Sequence, residues 1–215
     1  MTSVDGRGWT LVARFSNSDA KRWMINTGVF WYDRKVALGT TTSPSMNADM
    51  ISPAFRLVSG REFKITRSDD PSHTPLLQTT GNCLAGQTFR SKITSYGEFR
   101  NGKTWASQQC LGSCTVQYGG QYKSTDGFQQ AECSGNLQSA NNIGFWCDSG
   151  SDGSVMMIGG GGYICSGADH GIGITETDGP SFVGKGQGET EYDFGYNANI
   201  TTKPSQAYAL NLWIH

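Results

Sequence analysis

The residues best equipped for chemistry crowd into one part of the chain. The stretch "IGGGGYICSGADHGIGITETDG", Ile158 to Gly179, holds eight glycines, one cysteine, three carboxylates and a histidine. From Asp148 through Asp193 there are eight acidic residues against the single lysine Lys185. Carboxylates on loop backbone suit a hard, oxygen-seeking cation, and calcium accepts six to eight oxygens, main-chain carbonyls among them. The candidate ligands are Asp148, Asp152, Asp169, Glu176 and Asp193, together with the adjacent pair Asp69 and Asp70 in "TRSDDPSH". The competing reading is an acidic solvated surface, and no EF-hand spacing is present. Asp169 and His170 side by side can orient a polar ligand. His170 does not suggest zinc, because no second histidine or thiol stands at ligand spacing.

Other chemistries fit poorly. The four consecutive glycines lack the following Gly-Lys-Ser/Thr of a phosphate loop and the strand, turn and helix of a dinucleotide fingerprint. Cys165 and His170 come with no base and acid arranged to activate a nucleophile. Binding without catalysis is the expectation. Lys and Arg are dispersed, so the positive footprint of a nucleic-acid protein is missing. No apolar window is long enough to span a bilayer, and no basic amphipathic helix suits a membrane surface.

The six cysteines, Cys83, Cys110, Cys114, Cys133, Cys147 and Cys165, all fall after the first eighty residues. Cys110 and Cys114 form the only close pair, which is too little for a tetrahedral zinc site. Disulfides are the favoured reading and free core cysteines the alternative. Six cysteines pair in fifteen ways, and sequence does not choose among them. Such bridges constrain a glycine-rich segment by lowering the entropy of its unfolded state.

These residues must be positioned by short elements. "GWTLVARF" and the terminal "AYALNLWIH" read as strands, the second tying down the irregular segment before it from inside a sheet. "AKRWMINTG" reads as a short helix capped by Asp19 and stopped by Gly28. "FWYDRKVALG" reads as a short strand or turn. "PAFRLV" and "EFKITRS" read as two strands joined at Ser59-Gly60, and "QTFRSKITSYG" alternates apolar and polar residues. "NIGFWC" and "SVMMIGGGGY" supply apolar anchors later in the chain. Many short strands with few helical windows give an α+β domain. The composition, 36% apolar and 16% charged with 29 glycines, favours an exported, loop-rich protein. The first fifteen residues do not read as a signal peptide.

The segments "GWTLVA", "LLQTTG", "IGGGGY" and "AYALNLWIH", with the fuller "NNIGFWC...MMIGGGGY.C..ADHGIGIT", resemble the secreted fibrinogen-related domains, especially the intelectin branch of calcium-dependent lectins. The resemblance covers nearly the whole chain in order. It implies a single fibrinogen C-terminal-like domain over residues 8–215, with a small mixed or antiparallel sheet, short helices and a loop-rich C-terminal part braced by disulfides and calcium. It also implies Asp169 as a structural calcium ligand and Tyr196 of "FGYN" as a pocket wall. The family's ligand histidine and glutamate fall near Val155 and Ser166, so the chain departs from that set; His170 and Glu176 can rebuild it at altered spacing.

Two functions follow as expectations. The first is an extracellular, calcium-dependent lectin that binds glycans or glycoproteins, with oligomerisation multiplying weak single-site affinity. The second is a matrix, adhesion or receptor-recognition domain that binds protein and uses calcium as a brace. "NIT" at Asn199 fits an N-glycan acceptor of a secreted protein.

Overall fold

The alternation in "GWTLVARF" and "AYALNLWIH" becomes a pair of adjacent strands. A computed structural model describes residues 2–4, 7–16, 34–95, 109–119, 142–149, 152–159, 170–171 and 207–215, with side chains for 8–16, 34–95, 112, 114–119 and 207–215. The strands are β1 (Thr2–Val4), β2 (Arg7–Ser16), β3 (Met50–Ile51), β4 (Phe63–Arg67), β5 (Pro75–Thr80), β6 (Gln109–Tyr118), β7 (Asn142–Ser149), β8 (Asp152–Gly159), β9 (His170–Gly171) and β10 (Ala209–Ile214). They form one sheet in the order β1-β2-β10-β4-β5-β6-β7-β8-β9, with β3 paired to β2. Every pairing among them is antiparallel. With α1 (Ala54–Leu57) and α2 (Phe89–Thr94), two short helices among the described residues, the architecture is compatible with the α+β class.

The last strand sits in the middle of the sheet. Leu210 pairs with Phe15 on β2 and with Arg67 on β4, so residues far apart in sequence close around β10. Leu210, Leu212 and Ile214 turn one way into the core, where they join Val12, Ala13, Phe15, Phe63, Ile65 and Leu77. A register shift between Leu212 and Trp213 marks a bulge against β2, which lets Val12 and Ala13 both enter the core.

Two expectations are corrected on this side of the sheet. "PAFRLV" is not a strand: its centre is α1, one turn of helix. Pro53, with φ −53°, is already set for a helical start, and the Ala54 N–H donates to Ser52 Oγ at 3.2 Å. The alternation in "QTFRSKITSYG" is likewise overridden by α2. Phe89 and Ile93, four residues apart, are its buried pair, which is a helical period. Thr88 caps it by accepting the Ser91 N–H at 3.0 Å. Phe89 lies 5.2 Å from Phe63 and 6.0 Å from Phe55 between ring centroids, so α1 and α2 together roof the core. "EFKITRS" does form a strand, β4, and "NIGFWC" and "SVMMIG" run into β7 and β8. Leu38, at the end of "FWYDRKVALG", bridges Ile51. The helix expected at "AKRWMINTG" lies outside the described residues.

The turn between α1 and β4 leaves no room for a side chain. A Cβ on Gly60 would stand 2.5 Å from Ile214 Cγ1 and 2.6 Å from the His215 carbonyl oxygen. Gly60→Ala must therefore push the central strand's end or the turn itself. The expected cost is about 1–3 kcal/mol, read as a lower urea midpoint with unchanged far-ultraviolet circular dichroism.

Candidate functional site: a hydroxyl-lined cleft on the second sheet face

The face of β2, β10 and β4 opposite the core is polar yet buried. Arg14, Lys64, Thr66 and Asn211 are all within 2% of full burial. Burying such groups is costly unless each finds partners, and here much of the partnering comes from the loop of residues 39–50. The loop's two ends are clamped by reciprocal Leu38 and Ile51 backbone hydrogen bonds of 3.0 Å. Gly39, at φ +71°, opens it, and a Cβ there would meet the Asp49 carbonyl oxygen.

Arg14 is the loop's anchor. Its guanidinium donates to the carbonyls of Ala48 and Ser43, and to that of Thr40 at 3.1 Å. The planar fork suits three acceptors arranged around one centre. Burial lowers the pKa of Arg14, an effect opposed by the negative charge of Asp49. Asp49 also accepts the Ser16 N–H at 2.7 Å, Ser16 Oγ donates to Asn47, and Asn211 Nδ2 donates to the Pro44 carbonyl at 2.8 Å. Both central strands thus hold the loop.

Between this loop and the sheet lies a cleft of about 500 Å³ lined by Thr10, Leu11, Thr41, Thr42, Pro44, Ser52 and Trp213. Four of these residues bring hydroxyls, and none of the described lining residues is charged. Trp213 forms the inner wall and is fixed by its Nε1 donating to Thr66 Oγ1 at 2.9 Å. Behind it the Lys64 ammonium stands 4.8 Å from the Trp9 ring and 5.7 Å from that of Trp213, so cation–π attraction helps to fix the two rings. Such a cavity is in the size range of small-molecule sites. Among the described lining residues its polar groups are hydroxyls, beside the apolar surface of Leu11 and Pro44.

The residues singled out in the sequence lie elsewhere. Asp69 and Asp70 are adjacent, yet each has a structural partner. Arg67 Nε donates to Asp69 Oδ1 at 2.8 Å, with a second bond from Nη2 to Oδ2. Asp70 accepts the backbone N–H of Ser72 at 2.9 Å and of Thr74 at 2.8 Å, closing a turn in which His73 takes φ 48°. These bonds orient both carboxylates from within the loop. Burial works to lower the pKa of Arg67, but the hydrogen bond to Asp69 and the electrostatic influence of Tyr208, Asp69 and Asp70 outweigh it, leaving the value raised. Asp70→Ala strips two turn amides of their acceptor and is expected to cost about 1–2 kcal/mol. Asp69→Asn, at an exposed pair, should cost less than about 1 kcal/mol. Denaturant titrations of the two variants check the contrast.

Asp148 and Asp152 lie at the β7–β8 hairpin, where Asp148 pairs with Gly153 and Asp152 with Ser149. His170 is in β9, paired with Gly159. Asp169, Glu176, Asp193, Tyr196 and Asn199 lie outside the described residues. Among the described residues no group of three or more His, Cys, Asp or Glu is placed to hold a metal. Of the six cysteines, Cys83 and Cys114 are bridged, with Cα atoms 5.3 Å apart.

Sequence reading missed the cleft. Its signal was the run Thr40-Thr41-Thr42-Ser43-Pro44, a hydroxyl-rich turn segment. Nothing local in that run reveals that it folds over Trp213.

No protein-family model matches the chain, and no curated protein matches it.

Proposed function

We propose that this chain is an extracellular carbohydrate-binding domain of the fibrinogen-related, intelectin-like kind, without catalytic activity. The observation that supports the reading is the hydroxyl-lined cleft beside Trp213. Serine and threonine hydroxyls both donate and accept, which suits the hydroxyls of a sugar, while Leu11 and Pro44 offer apolar surface to its C–H face. Calcium belongs to the proposal as a brace for the acidic segment that runs from Asp148 to Asp193, with Asp169, Glu176 and Asp193 as ligands, and His170 and Tyr196 as further ligand contacts.

The test is a glycan array probed with the disulfide-intact, multivalently displayed chain, in calcium and in chelator. Reproducible binding that chelation weakens is the expected result. No binding in either condition sinks the lectin reading. Thr41→Val and Thr42→Val should each weaken a positive glycan about fivefold, the worth of one neutral hydrogen bond of ~1 kcal/mol, as measured by titration calorimetry.

A protein-recognition role is the second reading, favoured by one observation. Leu57 is 76% exposed and shares a shallow depression of about 240 Å³ with Lys35, Pro53 and Arg56. Isolated exposed apolar residues are ordinary, so this reading ranks behind the cleft.

A further inference from the structure

We infer that Cys110 and Cys147 form a second disulfide, a cross-strand staple between β6 and β7. The register places the two cysteines directly opposite each other. Directly opposed residues in an antiparallel ladder have Cα separations of roughly 4.5–5.5 Å, within the range that a disulfide spans without moving the backbone. The pairing is flanked on both sides by further ladder positions, Gln109 with Asp148 and Leu111 with Trp146, so the opposition is set by continuous register.

The staple has a consequence for the whole sheet. Strand β6 already carries Cys114, bridged to Cys83 in the loop that follows β5. In the order β5-β6-β7-β8-β9, β6 alone among the described strands joins the later ones to the strands around β10. With both bridges made, β6 is covalently tied to the sheet on each side, and Cys147 anchors the start of the acidic segment at Asp148. Only one of the fifteen pairings open to six cysteines contains both bridges.

The bond forms by thiol–disulfide exchange with a disulfide-bearing oxidant such as oxidised glutathione. One cysteine thiolate attacks the oxidant to give a mixed disulfide and releases one thiol. The second thiolate then attacks the mixed disulfide, forming the Cys110–Cys147 bond and releasing the other thiol. The two cysteines lose two electrons and two protons in total, and the oxidant is reduced to two thiols. This inference stands apart from the proposed carbohydrate binding and holds or fails without it.

Peptide mapping of the unreduced, full chain tests it. The protein is folded in a glutathione redox buffer, free thiols are blocked, and digestion with pepsin at acid pH suppresses exchange while cutting between Cys110 and Cys114. A linked peptide joining Cys110 to Cys147, which separates into its two halves on reduction, is the expected result. Cys110 linked to any other cysteine, or Cys110 and Cys147 recovered as blocked thiols while Cys83–Cys114 is intact, overturns it. Because the native sequence is used, no variant has to fold.

Discussion

Removing the Cys83–Cys114 bridge lowers the stability of the fold by about 3–4 kcal/mol. The two cysteines are 31 residues apart in sequence, and the loop-closure relation for a ring of that size gives a stabilisation of this order at 25 °C. The bridge also has a packing role. Cys83 and Cys114 are 9% and 4% exposed and belong to the same apolar cluster as Leu84, Phe89 and Ile93. The carboxylate of Glu62 holds the loop from the other side: it accepts the Thr79 hydroxyl at 2.6 Å and the backbone N–H groups of Asn82 and Cys83. Paired Cys83→Ala and Cys114→Ala substitutions therefore free the chain without releasing every tether. A lower urea midpoint in the double variant, with a near-native circular dichroism spectrum in water, is the expected outcome. An unchanged midpoint would mean that the bridge adds nothing beyond the packing around it.

Substituting Arg14 by methionine has an effect at least as large, about 3–5 kcal/mol. Methionine can follow the path of the arginine stem but cannot supply the fork. The carbonyls of Thr40, Ser43 and Ala48 then lose their donor, and the charge of Asp49 loses its neighbouring cation. Leaving one half of a buried charged network costs that much because the remaining groups keep their desolvation penalty. The loss should be concentrated in the 39–50 loop, where amide hydrogen exchange is expected to accelerate more than in β4 or β10. Arg14→Lys keeps the charge and should fall between the two, since an ammonium cannot serve three carbonyls in the fork's fixed plane. Equal exchange in the loop of native and methionine variants would show that Arg14 is not its anchor.

Legibility of the fold in the sequence follows where the apolar residues are. The alternation in "GWTLVARF" and "AYALNLWIH" is complete enough to identify β2 and β10, and the terminal strand's place inside a sheet follows from its apolar content. "PAFRLV" misleads because a period of two and one turn of helix both fit six residues. Pro53 and Ser52 decide the matter locally, while Phe55 settles into the core beside Phe89. In α2 the decisive pair is Phe89 and Ile93, and the serine, lysine and arginine between them mimic a strand's polar positions. At Asp69 and Asp70 the sequence shows two adjacent carboxylates and hides their partners. Arg67 and the turn amides of Ser72 and Thr74 become visible only when the chain bends at Pro71. The cleft is the least legible feature, since Thr10, Thr42 and Trp213 come from distant parts of the chain. Buried Arg14 and Asn211 were clues: polar residues at regular strand positions must meet partners, and here those partners are the loop carbonyls.

The most direct measurement of the central claim compares the native chain with a Thr41→Val, Thr42→Val double variant on the same glycan array in calcium, after matching their thermal midpoints. The native chain is expected to bind a defined set of glycans and the double variant to bind the same set about 25-fold more weakly, two neutral hydrogen bonds having been lost. Absence of glycan binding by the native chain, or equal binding by both proteins, would contradict it.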